Sequence, residues 1–195
     1  MKPFPAAVAV FLLLAIVSPA SAHVAGDGTG IVAGLLHPLT GADHLLALLG
    51  IGTWAACLAR SIDRRAAWAV PTTFLAFVAV GALAAFAGLP GLLLETGVTG
   101  SLILIGMMIA SRLRLPLVAA AASAAVFALF HGYLHAVEMP AAASPALYTT
   151  GFLVAGALFL GIGVVMGRGV LRLSSTADRW AGATLVAGTL MLALV

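Results

Sequence analysis

Residues 37–59 read HPLTGADHLLALLGIGTWAACLA and place a polar motif directly before an apolar run. Two histidines and one aspartate lie in the motif, and no charged residue follows His44 until Arg60. A transmembrane helix needs about 20 predominantly apolar residues to cross the hydrocarbon core. The stretch therefore predicts a membrane-spanning helix over residues 42–59 whose first turn carries ionisable side chains.

Apolar stretches of similar length recur through the whole chain. Its 195 residues are 63% hydrophobic and 8% charged, with a mean hydropathy of +1.20, so a soluble domain of this size would lack polar surface. We predict an all-α, polytopic membrane helix bundle, with a short partial helix over residues 30–36 before the first span. The six predicted transmembrane helices are residues 42–59, 66–87, 92–110, 116–138, 147–167 and 177–195. Close approach of neighbouring helices is expected at glycines of the fifth span, namely Gly156, Gly161, Gly163 and Gly167.

The first 22 residues have the pattern of a secretory signal peptide. Lys2 precedes an apolar core over residues 6–17, which is followed by Pro19 and the small residues of positions 20–22. Cleavage after residue 22 leaves residues 23–195 as a single six-helix transmembrane domain with His23 at its N-terminus. The alternative is an uncleaved first helix.

All eight arginines fall in connectors, or within a few residues of a span end, on one side of the predicted bundle. Basic residues are retained on the cytoplasmic side of a membrane. The chain is therefore expected in the bacterial inner membrane as a multi-pass protein, with the mature N-terminus and the C-terminus both in the periplasm. A translocated signal peptide predicts the same orientation. The arginines are Arg60, Arg64, Arg65, Arg112, Arg114, Arg168, Arg172 and Arg179.

The counts of cysteine and lysine exclude several classes of function. Cys57 is the single cysteine, which excludes an internal disulfide framework and a thiolate-cluster metal site. Lys2 is the single lysine and would be lost with the signal peptide, which excludes a Walker A loop, a retinal Schiff base and a pyridoxal-phosphate lysine. The remaining 8 basic and 6 acidic residues, a net charge of +2, give no case for nucleic-acid binding.

All five histidines are predicted on the side opposite the arginines. Ionisable groups within membrane spans are costly, so they are taken as functional by default. Pro38 is expected to push His37 out of helical geometry. We interpret this asymmetry as the strongest functional signal in the sequence.

The first motif ends at the start of the first span. Thr40 and Asp43 have capping-box spacing, which predicts a new helix beginning near Gly41. A helix N-terminus stabilises an anionic Asp43 and disfavours a protonated His44, so that the His44 imidazole stays free to bind a cation. The competing interpretation is that Asp43 only caps the helix.

The second motif, FHGYLHAVE over residues 130–138, closes the fourth span. His131, His135 and Glu138 follow the spacing i, i+4, i+7 and are expected to share one helical face. Two imidazoles one turn apart with a carboxylate beyond them commonly bind a divalent metal. The two motifs together predict a metal site, although a histidine in a span can also be a packing group.

Imidazole and carboxylate donors without a thiolate suit Ni(II), Co(II), Zn(II) or Fe(II) better than Cu(I). His23 adds a chelate through its imidazole and the free N-terminal amine of the cleaved chain, and a chance residue at this position is the alternative. Glu95, at the head of the third span, is a further acidic residue on the same side.

Residues 37–55 resemble the signature of the HupE/UreJ family of nickel permeases, and residues 130–138 resemble that family's second motif. The resemblance covers the whole chain. It implies a transporter, not an enzyme, that imports Ni(II) as its substrate for hydrogenase or urease maturation, with cytoplasmic metallochaperones as partners. It also implies a set of metal-handling residues, namely His37, Asp43, His44, His131, His135 and Glu138.

The residues leave two other classes of function open. One is an intramembrane metal-dependent enzyme that uses His131 and His135, although the HExxH arrangement of metalloproteases is absent. The other is a haem-binding cytochrome subunit with axial histidines. Within the transporter hypothesis, the sequence does not rank Ni(II) above Co(II).

Overall fold

A computed structural model describes residues 30–173 and 176–194. Within these ranges the chain is all-helical and contains no strand, which confirms the predicted fold class. The predicted signal peptide and His23 lie outside the described residues. The elements are α1 Ile31–Leu36, a 3-10 helix His37–Leu39, α2 Ala42–Ser61, α3 Ala66–Phe86, α4 Leu94–Ser111, α5 Leu117–Val137, α6 Pro145–Leu173 and α7 Ala177–Ala193.

Five of these helices, α2 to α6, are long and apolar enough to cross a membrane. The chain is therefore a multi-pass membrane protein. The helix α1 has 6 residues, in agreement with the partial helix predicted before the first span. The helix α6 has 29 residues and extends beyond the predicted span 147–167 at both ends, whereas α7 has 17 residues.

The helix α2 lies at the centre of the bundle. It packs against α3, α4, α6 and α7, and 83% of its most apolar stretch is buried, against 28% to 44% for the other four long helices. Those four present large apolar side chains such as Val118 and Val165 to the outside, where lipid is the solvent. Because α2 is enclosed by protein, the ionisable residues of its first turn are also shielded from lipid.

Glycines set the distance between α2 and α6. A Cβ atom added to Gly163 would lie 2.6 Å from the carbonyl oxygen of Leu49, and one added to Gly52 would lie 2.3 Å from that of Leu160. The two backbones therefore touch directly, as small residues allow in membrane helix pairs. A Cβ added to Gly161, on the same helix, would have no atom within 4 Å.

The histidine-bearing and arginine-bearing ends of the bundle are separate. At one end, Arg60 donates a 2.7 Å hydrogen bond to the carbonyl oxygen of Leu171, and Arg112 pairs with Asp178 through two 2.6 Å hydrogen bonds. These contacts join the ends of α2, α4, α6 and α7. His44, in the first turn of α2, lies at the opposite end from Arg60.

We predict that Gly163→Ala destabilises the bundle while Gly161→Ala does not. The added methyl at position 163 has to displace the backbone of α2, and such overpacking typically costs about 1 to 3 kcal/mol. Thermal unfolding of both purified variants in one detergent measures the difference. Equal melting temperatures for wild type and Gly163→Ala would contradict the close α2–α6 contact.

Candidate metal centre

The first motif folds as a 3-10 turn between α1 and α2. His37 has helical dihedral angles, with φ −53° and ψ −45°, so the expectation that Pro38 pushes it out of helical geometry is wrong. Pro38 occupies one of the first positions of the turn, where a backbone N–H has no partner within the helix, so the proline is accommodated. The turn directs the His37 ring towards the ends of α2 and α5.

The start of α2 agrees with the sequence only in part. The helix begins directly after Gly41, as predicted, but Gly41 provides no side-chain cap. The predicted capping box is wrong, because the Thr40 hydroxyl donates a 2.7 Å hydrogen bond back to the carbonyl oxygen of His37. Thr40 therefore closes the 3-10 turn instead of capping α2. Asp43 lies in the first turn of α2, with its Oδ1 3.6 Å from Nδ1 of His44.

Three imidazoles and one carboxylate meet at this end of the bundle. One donor atom from each of His37, His44, His135 and Glu138 lies within 4.8 Å of the other three. Nε2 of His37 is 2.9 Å from Nδ1 of His135. Oε2 of Glu138 is 3.4 Å from Nε2 of both His37 and His44, and 3.7 Å from Nδ1 of His135.

These separations suit ligands of one metal ion. Zinc lies about 2.0 to 2.2 Å from imidazole nitrogen and carboxylate oxygen. Ligands about 2.1 Å from a common ion are therefore about 3.0 Å apart at a right angle and about 3.4 Å apart in a tetrahedron. Most of the observed donor separations fall near this range. The group can hold a divalent ion with small adjustments of the side chains.

The centre is buried on one side and open on the other. His44 and His135 are 6% and 4% exposed, whereas the Glu138 side chain is 38% exposed. Neither ring nitrogen of His44 makes a well-aligned hydrogen bond within the described chain. A buried polar atom without a partner is costly, and a cation bound between the rings would satisfy it.

Glu138 provides the negative charge of the centre. Partial burial alone would raise the pKa of this carboxyl group, but pairing with His135, His37 and His44 outweighs burial and places the pKa well below its usual range. A group with a lowered pKa is ionised at neutral pH and stays so well into the acid range. The centre therefore offers a carboxylate oxygen at its exposed mouth.

The structure brings together four of the residues proposed from the sequence and separates the others. His131 is 2% exposed and its Nε2 lies 3.0 Å from the hydroxyl of Ser101, outside the four-residue group. Asp43 is not in the group, although its Oδ1 lies 3.6 Å from Nδ1 of His44. Glu95 is exposed in the first turn of α4. His23 lies outside the described residues.

Sequence reasoning missed two aromatic side chains of α6 that complete the wall of the centre. The Tyr148 ring lies 5.6 Å from that of His37, and the Phe152 ring lies 4.0 Å from that of His135. Tyr148 is 2% exposed, and its hydroxyl has no partner among the described residues. The one available signal was a tyrosine near the start of an apolar span, which is also the usual position of an interfacial anchor.

Comparison with known proteins relates the chain to one family. The family model described as HupE / UreJ protein matches residues 11–192. Protein HupE of Rhizobium leguminosarum bv. viciae is 34% identical over 183 residues, which cover 90% of this chain and 94% of the relative. No solved structure matches.

We expect Glu138→Gln to weaken binding of Ni(II) and Co(II) by at least about tenfold, because the substitution removes the anionic ligand while keeping its shape. Glu95→Gln is the matched control, since it removes an exposed carboxylate outside the group. Isothermal titration of both purified variants measures the two affinities. Equal affinities for both variants would show that Glu138 is not a ligand.

Proposed function

The chain belongs to the HupE/UreJ family, a family of metal transporters and not of enzymes, and we propose on this premise that it imports Ni(II) across the bacterial inner membrane. The family is associated with nickel and cobalt transport. The observation that carries the proposal is the group of three imidazoles and one carboxylate at one end of the helix bundle, where the Glu138 side chain is 38% exposed. Family membership speaks against the alternative of an intramembrane enzyme.

The donor set supports a borderline divalent ion as the substrate. Imidazole suits Ni, Co and Zn, and the described part of the chain offers no thiolate near the centre that would favour Cu(I). Neutral imidazoles and one carboxylate leave one positive charge of a divalent ion uncompensated. Asp43, whose Oδ1 lies 3.6 Å from Nδ1 of His44, is proposed to orient that ring and to offset the remaining charge. Co(II) is the alternative substrate, and Zn(II) is a further candidate.

We propose that His131 binds the ion after it leaves the four-residue group on its way into the cell. It lies one helical turn before His135 in α5, about 5.4 Å along the axis, and its ring is 6.4 Å from that of His135. Its hydrogen bond to Ser101 joins α5 to α4, whereas the outer group joins the 3-10 turn, α2 and α5. The four-residue group and His131 thus lie between different helices. A relative shift of those helices can therefore pass the ion from the four-residue group to His131.

We propose six spans, with the histidine end in the periplasm and the arginine end in the cytoplasm. The helix α7 begins at Ala177, next to the pair formed by Asp178 and Arg112, and its Leu185 lies against Gly50 in the middle of α2. It therefore runs the length of the bundle, and its 17 residues reach the lower limit for a span. The basic residues then mark the cytoplasmic side. A signal peptide over residues 1–22, removed before His23, accords with this orientation.

The imported ion is proposed to serve hydrogenase or urease maturation, with cytoplasmic metallochaperones receiving it. This part rests on the motif resemblance of residues 37–55 and 130–138. We assign His23 the role of a capture ligand ahead of the centre, whereas Glu95, which is exposed and outside the four-residue group, is assigned no part in binding the ion.

Uptake of radioactive nickel and cobalt into expressing cells tests the transport proposal. His44→Ala and His135→Ala should each lower uptake at least about tenfold at unchanged membrane abundance, while Glu95→Gln should transport normally. Combining His44→Ala with Glu138→Gln should add little to either single loss, because ligands of one site act as a unit. Normal uptake by both histidine variants at wild-type abundance would contradict the proposal.

Labelling with a membrane-impermeant maleimide tests the topology. In a Cys57→Ser background, Leu92→Cys and Leu194→Cys should react in intact cells, because both positions are exposed at the proposed periplasmic end. Arg64→Cys should react only after permeabilisation. Labelling of Arg64→Cys in intact cells would show that the proposed orientation is wrong. If only Leu194→Cys failed to react, α7 would not cross the membrane and the proposal of six spans would be wrong.

A further inference from the structure

A second cavity lies at the arginine end, away from the metal centre. Its volume is about 590 Å³, and the ends of α2, α4, α6 and α7 surround it. Trp54 lies in its wall, ten residues after His44, which corresponds to about 15 Å along α2. The charged residues that line the cavity are Arg60, Arg112, Arg114, Arg172 and Asp178.

The charges around this cavity do not balance. Asp178 is engaged by Arg112 through two 2.6 Å hydrogen bonds. Arg60 donates to a neutral backbone carbonyl, that of Leu171. Among the described residues, neither Arg114 nor Arg172 has a carboxylate partner within 4 Å. Three of the four guanidinium groups therefore have no carboxylate to pair with in the described part of the chain.

Trp54 is a buried aromatic residue of the cavity wall. Its side chain is 1% exposed, and its indole N–H has no hydrogen-bond partner within the described chain. An indole nitrogen can only donate, and a buried donor without an acceptor is costly. Trp54 lies in the wall of a cavity that carries an excess of cations, and this excess disfavours a metal ion and favours an anion with several acceptor oxygens.

We propose that this cavity binds a phosphate-bearing anion, either the head group of an anionic phospholipid or a soluble phosphate. Guanidinium groups match phosphate oxygens in paired hydrogen bonds. The volume lies within the range of about 300 to 1,000 Å³ that is common for small-molecule sites. The site is separate from the metal centre, and its existence does not rest on the proposed transport.

Trp54 also provides the readout for a test. The chain has three tryptophans, and the other two, Trp68 and Trp180, are 60% and 63% exposed. In a Trp68→Phe, Trp180→Phe background, the full-length protein is placed in phosphatidylcholine nanodiscs. One arm adds inorganic phosphate, with chloride at equal ionic strength as the reference. The other arm replaces phosphatidylcholine stepwise by phosphatidylglycerol.

The expected result is a saturable change in Trp54 emission in at least one arm, and the responding arm identifies the source of the phosphate. Arg114→Gln with Arg172→Gln should shift half-saturation at least about tenfold. Arg64→Gln with Arg168→Gln is the matched control, since these arginines are exposed outside the cavity. The control pair should leave the half-saturation concentration unchanged. Each single substitution, Arg114→Gln and Arg172→Gln, is measured as well, in case the pair impairs folding, which size-exclusion profiles report.

Three outcomes would overturn the proposal. The first is the lack of a saturable response in both arms. The second is a response to chloride equal to that produced by phosphate. The third is an equal shift for the cavity variants and for the control pair, which would reduce the effect to general surface charge.

Discussion

The enclosure of α2 by the other helices is the constraint on which the rest of the structure depends. A helix that carries Asp43 and His44 cannot face lipid at that end without a large cost, and the surrounding helices remove that exposure. The contact at Gly52 and Gly163 brings α6 against α2. Tyr148, in the wall of the metal centre, belongs to α6 as well. The packing of α6 against α2 in the apolar middle of the bundle therefore also positions a side chain at its histidine-bearing end.

The metal centre in turn depends on a segment that does not span the membrane. His37 belongs to the 3-10 turn, which is held by the Thr40 hydroxyl and by the packing of α1 against α6. Its ring approaches His135 at the end of α5, and Glu138 follows that helix directly. The 3-10 turn, the start of α2 with His44, and the end of α5 thus all contribute to the proposed ion site. A relative movement of any of them changes the ligand set, which is what a transporter requires of a site that must release its ion.

Most of the helices could be predicted from sequence because hydropathy is a property of local segments. The helix starts and ends mostly lie within a few residues of the predicted ones, although α6 is longer. Contacts between helices could not be predicted in the same way. Helical periodicity placed His131 on the face of His135 and Glu138, but the direction in which its ring turns depends on the neighbouring helix, and here its Nε2 lies 3.0 Å from the Ser101 hydroxyl of α4. Likewise, composition does not distinguish Gly163, which touches α2, from Gly161, which contacts nothing.

The two ends of the bundle have opposite electrostatic character, and this bears on how a cation travels between them. The proposed metal centre carries the ionised Glu138, whereas the cavity beyond Trp54 is lined by three guanidinium groups that have no carboxylate partner among the described residues. Two positive charges repel more strongly in a partly buried site than in water, so a bare ion released towards that cavity would move against the field. An anion bound among the arginines lowers this barrier, because it cancels part of their charge. The anion cavity and the metal centre are then coupled through the field alone, without a shared residue, and occupancy of one affects passage from the other.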